Sequence, residues 1–290
     1  MERSNAIKKT INRKSFQTFI IIYIILCTLF CLLPLFITIL NSIKSNDDIM
    51  LSIFSLPSNF SSLVENYQMA YECIGPFFIR TIILSLIGAL IDVFLGAILA
   101  YLFTYKEFPG KNFLFMMFIS VMLLPSIMGM PILVPLVREQ LHLADTEFLT
   151  YIGYLLPNIA GGQVTALFLF RTFFGQQPKD IYESARIEGA SDIHIFFKIT
   201  IPLAIPIILF QFVGIFSSLY NDYLWPSLLF PSEYTLLMPA LVSEQAYLSS
   251  HHMQGATYAM YMLSSIPLII TSIISMKYFK SGDFASGMKL

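Results

Sequence analysis

The sequence has few charged residues, few cysteines and none of the short motifs that bind nucleotide phosphates or catalytic zinc. Asp, Glu, Lys and Arg make up only 12% of its 290 residues, and Cys occurs three times. Three cysteines do not predict a disulfide framework. A net charge of −1 gives no reason to expect a nucleic-acid partner. The Gly110-Lys111 pair lacks the upstream glycine of a phosphate-binding loop, and no H-E-x-x-H occurs. The chain therefore lacks recognisable machinery for ATP hydrolysis or zinc-dependent hydrolysis.

Long apolar runs fill most of the chain instead. Hydrophobic residues make up 56% of the sequence and the mean hydropathy is +0.72, too apolar for a soluble globule. A helix needs about 20 mainly apolar residues to cross a bilayer, and the runs are too continuous for the alternating pattern of a membrane β-barrel. The sequence predicts an all-α polytopic membrane protein with six spans, at residues 16–40, 77–105, 112–137, 148–170, 199–220 and 257–276.

Basic residues predict the orientation of these spans. The first apolar run follows a basic start, but its uncharged run is longer than the apolar region of a cleaved signal peptide, and no small-residue cleavage site follows it. We therefore interpret it as a retained span. With the N-terminus in the cytoplasm, 14 of the 17 Lys and Arg residues fall on the cytoplasmic side. This bias sets topology in multispanning proteins, so both termini are expected in the cytoplasm.

Two features inside the spans leave alternatives open. The third span contains Pro125, Pro131 and Pro135, which predict a kinked or broken helix that serves either packing or a water-filled path. Asp92 is the only ionisable residue well inside a span, so it should face protein or water rather than lipid. Its carboxyl group is a candidate for lining a translocation path, or for holding two helices together by a hydrogen bond.

The segment after the fourth span predicts two short helices at an angle to each other. Asp180 is placed to cap a helix over Ile181–Glu188, and Gly189 to end it with a left-handed backbone. Ser191 or Asp192 can cap a second helix, and Pro202 marks the entry into the fifth span.

This segment resembles the EAA coupling motif of ABC importer permeases, in the form found in the carbohydrate-uptake branch that includes the maltose- and glycerol-phosphate-type permeases. The residues that carry the resemblance are Glu183, Ser184, Ala185, Arg186, Ile187, Glu188, Gly189, Ala190, Ser191 and Asp192, followed by residues 195–199 and 202–203. Ser184 stands where Ala is usual and Glu188 where Asp is usual. Residues 220–226, 257–267 and 282–289 resemble further family segments, so the likeness covers most of the chain from the second span onward.

The resemblance implies a fold, a function and an assembly. It implies a MetI-like permease architecture over residues 1–290 as one transmembrane domain, with a cytoplasmic coupling loop at 175–198. The implied protein is a permease subunit that is not an enzyme, resides in the cytoplasmic membrane and imports a sugar or oligosaccharide by ATP-driven alternating access. ATP and Mg²⁺ would bind an ATPase dimer, and the other partners would be a second permease and an external solute-binding protein. The coupling residues would be Glu183, Ser184, Ala185, Arg186, Glu188, Gly189 and Ala190.

Alternatives to this function remain. One is import of a non-sugar solute by the same architecture, and another is a self-sufficient secondary transporter. The latter usually needs several ionisable residues inside the membrane, whereas only Asp92 is present.

Aromatic and polar residues near the outer end of the fifth span are candidates for a substrate path or for contact with the solute-binding protein. They are Tyr220, Asn221, Tyr223 and Trp225. Sugar sites combine aromatic faces with hydrogen-bonding groups, but Tyr and Trp also form belts at membrane interfaces. No metal site is predicted, because the adjacent His251 and His252 point in different directions and lack further ligands.

Overall fold

The computed structural model describes the backbone of residues 2–280 and the side chains of residues 16–276, and every regular element in this part of the chain is helical. Twelve α-helices are numbered in chain order: α1 Glu2–Ser42, α2 Asn46–Leu51, α3 Ser62–Tyr105, α4 Lys111–Met122, α5 Ser126–Pro135, α6 Glu147–Phe174, α7 Lys179–Ile187, α8 Asp192–Ile195, α9 Ile201–Tyr220, α10 Leu224–Leu229, α11 Leu237–Ser250 and α12 Gln254–Lys280. One π-helical turn follows α5 and another joins α8 to α9. The family-like tail at 282–289 lies outside the described residues.

The predicted all-α membrane architecture is confirmed. Five helical segments among the described residues are long and apolar enough to span a membrane: Phe16–Ser42, Ser62–Tyr105, Glu147–Phe174, Asp192–Leu229 and Gln254–Met276. Two further helical segments, Lys111–Met122 and Ser126–Gln140, meet at an angle of 91° and make up a sixth span if the pair is counted as one. The proline-rich third span is therefore broken, and the break lies directly before Pro125.

The helix α3 begins earlier than the sequence predicts. The sequence predicts the second span at residues 77–105 only. The structure instead has one helix of 44 residues, with Pro76 inside it. Proline removes one hydrogen bond and clashes with the carbonyl four residues earlier, yet α3 continues through Pro76.

The chain divides into two compact units, which are described separately. The first contains the described residues up to 73 together with residues 245–263. In this unit Lys44 is fully buried, and its ammonium group donates to the backbone oxygens of Ser52 and Ile53 at 3.2 and 3.3 Å. Removal of the ammonium group from water lowers the pKa of Lys44, and the nearby carboxylate of Asp48 opposes this shift.

The second unit contains residues 74–244 together with the described residues from 264 onward, and α6 lies at its centre. This helix contacts α4, α9 and α10. Its core-facing side chains are Tyr154, Leu167, Phe170 and Phe174, all fully buried. Because α6 contacts neighbours on several sides, it connects the two ends of the unit where the candidate site residues lie.

Candidate functional site

The EAA-like segment, residues 183–190, lies on the exposed side of α7 and in the turn that follows it. Glu183, Ser184 and Arg186 are exposed, and Ile187 exposes 86% of its surface. Within α7 only Tyr182 is buried. A nine-residue helix is marginal in isolation, so α7 depends on contacts made from this one buried side.

The turn after α7 has the geometry that the sequence predicts. Gly189 has a φ of +82°, in the left-handed region that favours glycine. The amide of Ala190 donates to the carbonyl of Ala185 at 3.0 Å, which is the long hydrogen bond of a Schellman motif. Ser191 caps α8, because its Oγ accepts from the amide of His194 at 3.3 Å. The predicted Asp180 cap is wrong: the N-cap position is Pro178, two residues earlier, and no side chain caps the helix there. Asp180 instead lies in the first turn of α7, where its negative charge interacts favourably with the helix dipole.

An aromatic cluster holds α7 against the end of α3. The rings of Tyr182 and Tyr105 are stacked with their centroids 4.2 Å apart. The hydroxyl of Tyr105 donates to the backbone oxygen of Phe174 at 3.0 Å, and that of Tyr182 donates to Gln177. The buried tyrosine of α7 is thereby packed against the end of α3, which is itself hydrogen-bonded to the end of α6.

A polar cluster joins the end of α3 to the start of α8. The ammonium group of Lys106 lies 2.6 Å from Asp192 Oδ2, and the hydroxyl of Tyr101 donates to Asp192 Oδ1 at 3.3 Å. Arg186, from the EAA-like segment, lies 4.0 Å from the same carboxylate and donates to the backbone oxygen of Tyr105 at 3.5 Å. Displacement of α7 would therefore be transmitted to α3 and to the π-helical turn that leads into α9. The sequence does not predict the Lys106–Asp192 pair, because its two residues lie 86 positions apart.

The structure gives two of the candidate path residues clear packing roles. Tyr220 is buried, and its hydroxyl donates to the backbone oxygen of Ser264 at 2.7 Å. Trp225 is also buried, and its indole N–H donates to the backbone oxygen of Tyr154 at 3.3 Å. Asn221 and Tyr223 are both exposed, and the amide of Asn221 donates to its own helix.

Asp92 is buried between α3 and α6. Its exposure is 1%, and its Oδ1 has no hydrogen-bond partner among the described residues. The carboxylate lies directly against Gly162, where a Cβ would come within 2.1 Å of Asp92 Oδ2. The carboxyl group therefore lies in the contact between α3 and α6, and within the described part of the chain its Oδ1 lacks the hydrogen bond that the second predicted role would require.

A cavity of about 240 Å³ lies between α5, α6, α9 and α10. Its lining residues are Ser126, Met130, Leu133, Pro157, Asn158, Ser218, Asp222 and Trp225. Only Trp225 was a candidate from the sequence. Asn158 and Ser218 were missed, although a polar residue within an apolar span is a signal that could have indicated them.

The comparisons with known proteins agree with this architecture. Residues 92–282 match the family described as "Binding-protein-dependent transport system inner membrane component". The chain is 29% identical to the diacetylchitobiose uptake system permease protein NgcG of Streptomyces coelicolor, over 85% of this chain and 80% of that protein. It is 28% identical to the arabinooligosaccharides transport system permease protein AraQ of Bacillus subtilis, over 92% and 94% of the two chains.

A solved structure shares the fold. It is the crystal structure of a bacterial ABC transporter involved in the import of the acidic polysaccharide alginate. One of its chains superposes with a TM-score of 0.75 at 22% identity, covering 92% of this chain and 98% of that chain. The chain therefore belongs to the inner-membrane components of binding-protein-dependent transport systems.

Proposed function

We propose that this chain is one of two permease subunits of an importer for a neutral oligosaccharide, and that a separate ATPase dimer binds the ATP and Mg²⁺ that drive it. The relatives support the substrate class, since they include proteins named for diacetylchitobiose, for arabinooligosaccharides and for melibiose, raffinose and stachyose. An external solute-binding protein would deliver the sugar, in keeping with the family description. A non-sugar solute is the second candidate, because a Synechocystis permease named for osmoprotective compounds is 30% identical over half of this chain.

The distribution of basic residues supports the orientation. With both termini in the cytoplasm, 14 of 17 Lys and Arg residues lie on the cytoplasmic side. In that orientation α7 also faces the cytoplasm, where an ATPase subunit would be.

The observation that carries the coupling role is the exposure of α7 combined with its fixed seat. Its free surface has small residues at Ala185 and Gly189, which allow a partner to approach closely, and an apolar side chain at Ile187 with 86% of its surface exposed. Burial of an isoleucine side chain is worth about 1.5–3 kcal/mol, so a groove on a partner would gain by enclosing Ile187. Movement of that partner would then displace the ends of α3 and α9 through Tyr182 and Asp192.

The test is a pair of tryptophan substitutions. Gly189→Trp places a large side chain on the proposed docking surface, and Gly110→Trp is the matched control. Both glycines have positive φ, +82° and +79°, and a Cβ at either would meet nothing within 4 Å. The backbone strain of a non-glycine residue there is of the same order at both positions, about 1–2 kcal/mol.

We expect Gly189→Trp to insert in the membrane and to lose co-purification of the ATPase and uptake of sugar, whereas Gly110→Trp retains both. Mass spectrometry of the proteins that co-purify with a tagged chain in mild detergent measures the first effect. Normal ATPase recovery and normal uptake with Gly189→Trp would contradict the docking role of the EAA-like segment.

A further inference from the structure

We propose that the cavity between α5, α6, α9 and α10 binds one sugar unit of the transported oligosaccharide through its hydroxyl groups, so that this subunit itself contacts the substrate. This inference rests on the proposed sugar import. It depends on four observations: where the helices break, which polar groups remain available in the cavity, which residues form the surface beside it, and the charge and shape of the cavity.

Irregular backbone converges on the cavity from three helices. The span that contains α4 and α5 breaks at residues 123–125, and Ser126 begins α5 at the cavity wall. Pro157 interrupts the hydrogen bonding of α6 beside Asn158, and residues 221–223 separate α9 from α10. Broken helices in membrane transporters occur where the freed backbone groups face protein or a water-filled cavity, and they commonly form the substrate site.

The polar side chains of the cavity retain hydrogen-bonding capacity. The amide nitrogen of Asn158 donates to the backbone oxygen of Tyr154 at 2.9 Å, and its side-chain oxygen accepts no hydrogen bond from the described residues. Asp222 accepts from the backbone amides of Trp225 and Leu224, and no cation lies within 4 Å of its carboxylate among the described residues.

The two cavity serines add further capacity. In the described part of the chain, the hydroxyls of Ser126 and Ser218 make no hydrogen bond to other residues. Side chains of this kind, with two lone pairs or a rotatable O–H, suit a ligand that offers several hydroxyl groups.

A stripe of small and polar residues leads away from the cavity along two spans. On α6 the exposed residues Gly161 and Thr165 follow Asn158 at helical spacings of three and seven, and on α9 Gly214 lies one turn from Ser218. A Cβ at Gly161 or Gly214 would meet no atom within 4 Å, so neither glycine is needed for packing within this chain. Polar surface in a span is unfavourable against lipid, and the stripe is therefore suited to line a water-filled path.

The charge and shape of the cavity favour a neutral sugar. Its lining includes one carboxylate and no Lys or Arg, so an anionic substrate would be repelled. Trp225 and Pro157 supply apolar surface for the C–H face of a sugar ring, and Asp222, Asn158 and the serines supply acceptors for its hydroxyls. The volume of about 240 Å³ is small for a whole oligosaccharide, so we assign it a single unit.

The experiment uses the complete complex of this chain with its co-purified permease, ATPase and solute-binding protein. Ser218→Cys is labelled with a maleimide during ATP turnover, with and without raffinose, arabinotriose or diacetylchitobiose. Ser232→Cys, in an exposed 3₁₀-helical turn outside the cavity, is the control that sugar should not protect. In parallel, the KM of uptake is measured for Asp222→Asn, which retains the side-chain oxygen that accepts from the amide of Trp225, and for Glu233→Gln as an exposed acid-to-amide control.

We expect the imported sugar to slow labelling of Ser218→Cys but not of Ser232→Cys, and Asp222→Asn to raise the KM by about tenfold or more while Glu233→Gln leaves it unchanged. Import by the wild-type complex without protection of Ser218→Cys, or with an unchanged KM for Asp222→Asn, overturns the inference and leaves the proposed function intact. If the wild-type complex imports none of the three sugars, the proposed function is overturned, and this inference with it. Protection by glycine betaine in place of the sugars also overturns it and assigns the cavity to a zwitterionic quaternary ammonium solute.

Discussion

Replacement of Tyr182 by alanine should release α7 from the rest of the protein. Tyr182 is the one buried side chain of this nine-residue helix, with 3% of its surface exposed, and it stacks on Tyr105 at 4.2 Å. Truncation of a buried aromatic residue to alanine costs about 3–5 kcal/mol. The remaining anchor, the contacts of Arg186 with Asp192 and Tyr105, is half exposed and contributes at most about 1 kcal/mol. The stability that is lost is therefore the local stability of α7.

Amide hydrogen exchange of residues 179–190 in the detergent-solubilised chain measures this effect. A loss of 3 kcal/mol in local stability corresponds to an acceleration of about two orders of magnitude. Tyr182→Phe is the control, because it keeps the stacked ring and removes only the hydrogen bond to Gln177, which is worth about 1 kcal/mol. Equal exchange rates for Tyr182→Ala and Tyr182→Phe would refute the anchoring role of the ring.

Two further predictions concern contacts away from α7. Gly162→Ala should destabilise the protein by about 1–3 kcal/mol, since its Cβ would lie 2.1 Å from Asp92 Oδ2. Gly161→Ala is the control and should not destabilise the protein, because no atom lies within 4 Å of its Cβ. Thermal unfolding in detergent measures both variants, and a second substitution, Asp92→Ala, should restore the stability that Gly162→Ala loses. Hydrogen bonds from Ser58 lower the pKa of Asp48. The contact between Ser58 and Asp48 therefore stabilises the fold above the ordinary carboxyl pKa of about 3.9. This stabilisation is lost as the pH falls through the lowered pKa of Asp48. Proteolysis at residues 52–60 should increase between pH 6 and pH 3 in the wild type, and a similar pH response in Ser58→Ala would contradict the role of this bond.

Local sequence rules predicted those parts of the fold that depend on local interactions. The ends of α7 and α8 follow from residues whose backbone or side-chain chemistry acts within four positions, such as Gly189 and Ser191. The same rules fail at proline. Pro76 lies inside a continuous helix whereas Pro125 follows a break of 91°, although both remove one backbone donor. Which proline ends a helix is decided by the packing on either side, and that is not encoded near the proline.

The candidate site also contains parts that local sequence predicts and parts that depend on distant contacts. The exposed residues of the EAA-like segment are contiguous, so one stretch of sequence predicts them together. The seat of α7 joins Tyr105, Phe174 and Tyr182, which lie on three helices and carry no shared pattern. The cavity is harder to predict from the sequence. Asn158 lies in α6 and Asp222 follows the end of α9, and each alone is an ordinary polar residue.

The positions of these two regions suggest how work at α7 could reach the cavity. The loop that carries α7 follows α6 directly and leads through α8 into α9, and the cavity lies where α6 and α9 carry Asn158 and Ser218. Because α6 and α9 are packed helices rather than flexible chains, displacement at one end must appear as tilt or translation at the other. A tilt between them changes the separation of Asn158 from Ser218 and Asp222, and so the fit of a sugar held between them. Substrate affinity in the cavity should therefore depend on the state of the ATPase, and the slowing of Ser218→Cys labelling by sugar should differ between the nucleotide-free complex and the complex trapped with ATP.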